Sequence, residues 1–92
     1  MRIRTHPGEV LREEYLQPLG MSARALAEAI GVPANRLTEI IRERRAITAD
    51  TAIRLGKYFG TDPRFWINLQ VAHDLSKAKA ATDYSSVPTR AA

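Results

Sequence analysis

The stretch SARALAEAIGVPANRLTEIIRERR, Ser22 to Arg45, decides how this chain is read. It breaks into two short helices around a corner, with a basic run directly after the second. Ser22 is placed to cap the first helix through its hydroxyl, and Met21 before it to staple onto Leu26. Gly31 ends that helix, since glycine takes the left-handed conformation without a Cβ clash. Pro33 suits the start of the second, where a missing N–H leaves no bond unmade and the fixed φ is already helical. The small side chains of Ala25, Ala27 and Ala29 allow the two helices to cross closely. The second helix is expected from about Pro33 to Arg42. At about 100° per residue, Leu37, Ile40 and Ile41 share one arc, and Asn35, Thr38, Glu39 and Arg42 the opposite one. One arc is core; the other is offered to a partner.

This is the pattern of a helix-turn-helix, over about residues 22–43. A plain helical hairpin uses the same small residues. What favours a nucleic-acid reader is the cluster Arg42, Arg44 and Arg45, which falls where a phosphate backbone would lie. The outward arc has the right chemistry: arginine forks onto guanine, asparagine pairs with adenine, and threonine touches a thymine methyl. Arg42 is the first choice for a base contact and Asn35 the second. Glu39 either accepts from cytosine or holds Arg36 or Arg42 through a local ion pair. Arg24, Arg44 and Arg45 suit phosphate contacts, which position without reading.

Ninety-two residues make one domain with a single modest core. The chain is 45% hydrophobic and 26% charged, a globular balance, and no apolar run is long enough for a bilayer. The opening MRIRTHPGEV lacks the apolar stretch of a signal peptide, so the expected location is the cytoplasm. With no cysteine, disulfides, thiolate zinc sites and thiol catalysis are excluded together. The net charge is +4, and residues 21–60 carry seven basic against four acidic side chains, so the excess sits on the motif.

Outward from the motif, a first helix of roughly Glu9 to Leu16 turns Val10, Leu11 and Tyr15 inward and leaves through Pro18 to Gly20. Thr48 is the expected cap of a fourth helix, Ala49 to Phe59, with an apolar stripe of Ala52, Leu55, Gly56 and Phe59. Asp62-Pro63 starts a fifth helix that runs to about Lys79. This last helix is apolar on two sides. Phe65, Leu69 and Ala72 form one stripe, and Ile67, Val71, Leu75 and Ala78 another, which is expected to be a dimer interface. Trp66 serves either surface. Residues 1–80 form the domain, and 81–92, small and polar, read as a flexible tail, with Tyr84 and Val87 as candidates for a short strand or a docking contact. His6 and His73 have no neighbours at metal-ligand spacing and read as structural or surface residues, so no metal or cofactor is expected.

The stretches HPGE with PLGMS, GVPANRLTEI, ITADTAIRL and FWINLQ occur in the order of one family. From His6 to Gln70 the chain resembles the HigA-type antitoxins, a branch of the Cro-repressor-like helix-turn-helix proteins. The resemblance implies a compact, five-helix, all-α domain whose long C-terminal helix serves dimerisation. It also implies a homodimer that binds double-stranded operator DNA of its own operon and a HigB-like toxin, a small ribonuclease, and that is no enzyme itself. Carried over by position, Ser22 matches a cap whose helix end faces phosphate, and Asn35, Arg36, Thr38 and Glu39 match exposed positions of the recognition helix. Two departures stand out. Ala23 replaces a frequent glutamine, and Arg42-Glu43 replaces a frequent Asn-Gly, so either the helix runs on or Glu43 carries strain of about 1 kcal/mol. The rival readings are a stand-alone phage-like repressor with the same fold and a small acid/base enzyme built on His73 and Asp74.

Overall fold

The computed structural model describes residues 2–91, which form five helices and, among the described residues, no strand. They are α1 (residues 7–19), α2 (Ala23–Ile30), α3 (Ala34–Ile41), α4 (Ala49–Phe59) and α5 (Pro63–Ala81). The expectation of an all-α, five-helix fold is met. No helix is long and apolar enough to cross a membrane.

Helix α1 is longer than its sequence suggests. It starts at Pro7, where the His6 ring caps it by accepting from the Gly8 N–H at 2.8 Å, and continues through Pro18 to Leu19. Pro18 has no N–H to donate and its ring crowds the carbonyl four residues back. The turn before it widens into a π segment, Leu11–Leu16, in which the Gln17 N–H bonds to the Arg12 carbonyl, and the proline stays inside the helix. The N-terminal end of α1 abuts the C-terminal end of α3 so closely that a Cβ on Gly8 would lie 1.8 Å from the Ile40 carbonyl oxygen. Only glycine fits there.

Helices α2 and α3 pack against each other, α1 lies against α3 and α5, and α4 closes the core against α2 and α5. Leu11, Leu26, Leu37, Ile40, Leu55 and Trp66 are fully buried at the centre. Of the three alanines expected at the α2–α3 crossing, only Ala27 is buried, joined by Ala23; Ala25 and Ala29 face outward. The Thr48 position opens α4, but its hydroxyl makes no capping bond, whereas Asp62 caps α5 by accepting from the Arg64 N–H at 2.9 Å. That bond and the Arg64 guanidinium hold the Asp62 carboxyl below its usual range.

Helix α5 buries neither of its expected stripes. Its inner line is Trp66, Gln70 and Ser76. The Trp66 indole donates to Thr61 Oγ1 at 3.0 Å, Gln70 Oε1 accepts from the Ile47 N–H at 2.9 Å, and Ser76 Oγ accepts from the Arg4 N–H at 2.7 Å. Each polar group on this line satisfies a backbone or side chain that the fold brings to it, and among the described residues no buried side-chain nitrogen or oxygen lacks a partner. The two apolar stripes flank this line, with Leu69, Ala72 and Ile67 half-buried and Phe65, Val71, Leu75 and Ala78 exposed. From Lys77 to Ala91 every residue is exposed, and the principal extents are 51 × 24 × 21 Å. The five-helix body is therefore compact, but the end of α5 and the residues after it project from it.

Candidate nucleic-acid interface

The outward arc of α3 is built by the two turns that bound it. At its start Pro33, in extended conformation, sets the helix going at Ala34. At its end Arg42 leaves helical geometry and Glu43 takes φ 61°, in the left-handed region. The Glu43 N–H bonds to the Ile40 carbonyl and the Arg44 N–H to the Glu39 carbonyl, both at 2.9 Å. This is a Schellman closure made without glycine. The helix does not run on, so Arg44 and Arg45 leave its axis.

Helix α1 supports the closure. The Arg12 guanidinium donates to the Ile41 carbonyl and lies 3.9 Å from the Glu43 carboxylate, a cation set against the negative end of α3. On the far side of the corner, Arg54 of α4 donates to the Ile30 carbonyl at 2.7 Å and so caps α2. Asp50 receives both Arg54 at 3.1 Å and Arg36 of α3 at 2.9 Å. The relation between α2, α3 and α4 is thus pinned by one carboxylate and two guanidinium groups. Arg12, Asp50 and Arg54 are functional supports missed by the sequence reading. The spacing of Asp50 and Arg54, four apart on one helix, was the available signal.

Within the interface, Asn35, Arg42, Arg44 and Arg45 are exposed and Arg36, Thr38 and Glu39 are half-buried at its margin. Glu39 pairs neither with Arg36 nor with Arg42; its carboxylate holds Arg45 at 2.5 Å. Thr38 donates its hydroxyl to the Asn35 carbonyl at 3.3 Å. Ser22 Oγ accepts from the Ala25 N–H at 3.0 Å, and Arg24 is exposed on the same first turn of α2. Such a capped, open helix end is suited to an anion. Among the described residues, Arg24, Arg42 and Arg44 have no carboxylate within ion-pair distance.

The two histidines face each other at the N-terminal end of α1. His6 is buried, with its ring edge-on to His73 at 4.8 Å, and His73 Nδ1 donates to the Arg4 carbonyl at 2.8 Å. Burial, and then the neighbouring His73, lower the His6 pKa from 6.5. Among the described residues no group of three or more His, Asp or Glu side chains is arranged to hold a metal ion.

Residues 13–66 match the helix-turn-helix family HTH_3. The chain is 60% identical over 74 residues to virulence-associated protein I of Dichelobacter nodosus, a match covering 80% of this chain and 68% of that one. Its fold superposes on the Pseudomonas aeruginosa antitoxin HigA, solved with the higBA promoter, with a TM-score of 0.82 and 51% identity, covering 84% of each chain. It superposes on an addiction module antidote protein of the HigA family from Coxiella burnetii with a TM-score of 0.88 and 44% identity, covering 98% of this chain and 100% of that one. The chain belongs to the HTH_3 helix-turn-helix family and, within it, to the HigA-type antitoxins.

Proposed function

We propose that the chain is an antitoxin and autorepressor. As a homodimer in the cytoplasm, it binds double-stranded operator DNA of its own operon and neutralises a HigB-like ribonuclease toxin. The observation that carries the DNA half is an arc with Asn35 and Arg42 exposed and Thr38 at its margin, flanked by cations, in a chain 51% identical to an antitoxin solved with its promoter. Arg42 and Asn35 read base edges; Arg24, Arg44, Arg45 and the Ser22-capped end of α2 meet phosphates. A two-fold dimer sets two α3 helices about 34 Å apart in successive major grooves. Its contact is the stripe of Ile67, Val71, Leu75 and Ala78, half-buried at Ile67 and otherwise open to water. The stand-alone repressor differs only in lacking a toxin, and a ribonuclease-like reading frame alongside is what separates the two.

Binding titrations across a salt series and a panel of single-base operator variants test this reading. Arg42→Ala is expected to cost about 1–3 kcal/mol on the cognate site and to relax one base position per half-site. Arg45→Ala is expected to weaken cognate and random duplex alike and to flatten the salt slope by roughly one unit per half-site. Upstream operon DNA binding no better than random duplex at every salt concentration defeats the repressor reading. A base-preference change in Arg45→Ala but none in Arg42→Ala reverses the assignment of the two residues.

A further inference from the structure

An open groove of about 470 Å³ runs between α1, the first half of α5 and the incoming segment at Arg4. Its floor is apolar, made by Val10, Leu69 and Ala72. Phe65, 39% exposed, continues that floor one turn earlier on α5. Among the described residues its rim carries three carboxylates, Glu9, Glu13 and Glu14, against one cation, Arg4. Glu13 is engaged by Arg12 at 3.2 Å, whereas among the described residues Glu9 and Glu14 have no basic group within ion-pair distance. In a chain of net charge +4, this is a locally acidic, apolar-floored surface that shares no residue with the DNA-reading set.

Resting on the antitoxin reading above, we propose that this groove is where the toxin docks. It seats an apolar side chain against Val10 and Leu69 and receives lysine or arginine side chains on Glu9 and Glu14. The charge selects the occupant. DNA is excluded, because the rim would repel phosphates. A second copy of this chain placed groove to groove would set like carboxylates against one another across a two-fold axis, which costs association. A ribonuclease, in contrast, has to hold a polyanion and therefore presents a cationic surface. An acidic groove complements that surface and competes with RNA for it.

The test co-expresses the chain with the product of the adjacent reading frame, measures their affinity after co-purification, and compares Glu9→Lys/Glu14→Lys with the milder Glu9→Gln/Glu14→Gln. The charge-reversed variant is expected to lose about 100-fold or more in affinity for that product, and the neutral one an intermediate amount. Operator affinity of the variants is no weaker than wild type and sedimentation of the antitoxin alone is unchanged, which also shows that the variants fold. Wild-type affinity for the product in the charge-reversed variant overturns the proposal. So does a change in sedimentation with the product still held, because it assigns the groove to self-association. If the wild-type chain binds operator but never holds the product, the antitoxin half of the proposed function fails, and the groove assignment falls with it.

Discussion

Replacing Glu43 by glycine is expected to stabilise the protein, and the size of the gain follows from three opposing terms. A side chain held at φ 61° pays about 1–2 kcal/mol for the left-handed conformation, and glycine pays none. Against this, the Arg12–Glu43 contact is lost; at 3.9 Å, with the side chains 33% and 40% exposed, it contributes a few tenths of a kcal/mol at about the low end for surface pairs. Glycine also widens the unfolded ensemble, at about 0.5–1 kcal/mol. The net is a gain of roughly 0.5 kcal/mol, about 2–4 °C in Tm for a domain of this size. Glu43→Ala separates the terms, since it loses the same ion pair but keeps the backbone cost. Glycine is expected to exceed alanine by about 1 kcal/mol, or roughly 4–8 °C. Reversible thermal unfolding followed by circular dichroism measures both. Operator affinity is expected to stay within about twofold, because the Schellman bonds that aim Arg44 and Arg45 are backbone bonds retained by glycine. An alanine variant as stable as the glycine variant refutes the strain argument and moves the effect to the side chain.

Two further outcomes follow from the α5 surface and from His6. Val71 and Leu75 are 49% and 55% exposed, so replacing both by aspartate is expected to leave a folded monomer by sedimentation; a persisting dimer, or a wild type already monomeric, removes the α5 interface. Burial lowers the His6 pKa, so the unfolded chain takes up the proton first. Stability is then full above about pH 6.5 and falls as pH drops below it, and a His6→Asn variant melted at the same pH values is expected to show a flatter decline.

Much of the fold was legible because the signals are local. The Ser22 and Asp62 caps, the Gly31 corner and the two-sided wheel of α3 each depend on a few consecutive residues, and the helices form where those residues place them. The reading failed where a residue's role depends on a distant partner. Trp66, Gln70 and Ser76 look like a mixed stripe beside better apolar ones, yet they are inside because Thr61, Ile47 and Arg4 bring groups for them to bond. Pro18 reads as a helix stop, and only the widened turn before it allows α1 to continue. The same limit applies to the site. The outward residues of α3 follow from the wheel, but the pairing of Glu39 with Arg45 needs the left-handed turn at Glu43 to swing Arg45 back. Asp50 reaches Arg36 only once α3 and α4 are packed.

These pairings bear on how the chain tells one DNA site from the rest. Glu39 holds Arg45 and Asp50 holds Arg36, and a two-fold dimer doubles both pairs. A random duplex offers them only phosphates, and an arginine already paired gains less from a phosphate than a free one does. Each exposed pair is worth at most about 1 kcal/mol, but every one of them is subtracted from the sequence-independent part of binding. Arg24, Arg42 and Arg44, which among the described residues have no carboxylate within ion-pair distance, keep the full attraction. Of these, Arg42 is the residue proposed above to fork onto guanine, a contact that adds about 1–3 kcal/mol that random sequence does not return. The sequence-independent part is common to cognate and random duplex, so the carboxylates lower both by about the same free energy. Specificity is a ratio of the two, so it is left to the base contacts, and Glu39 and Asp50 set the overall affinity from which those contacts discriminate.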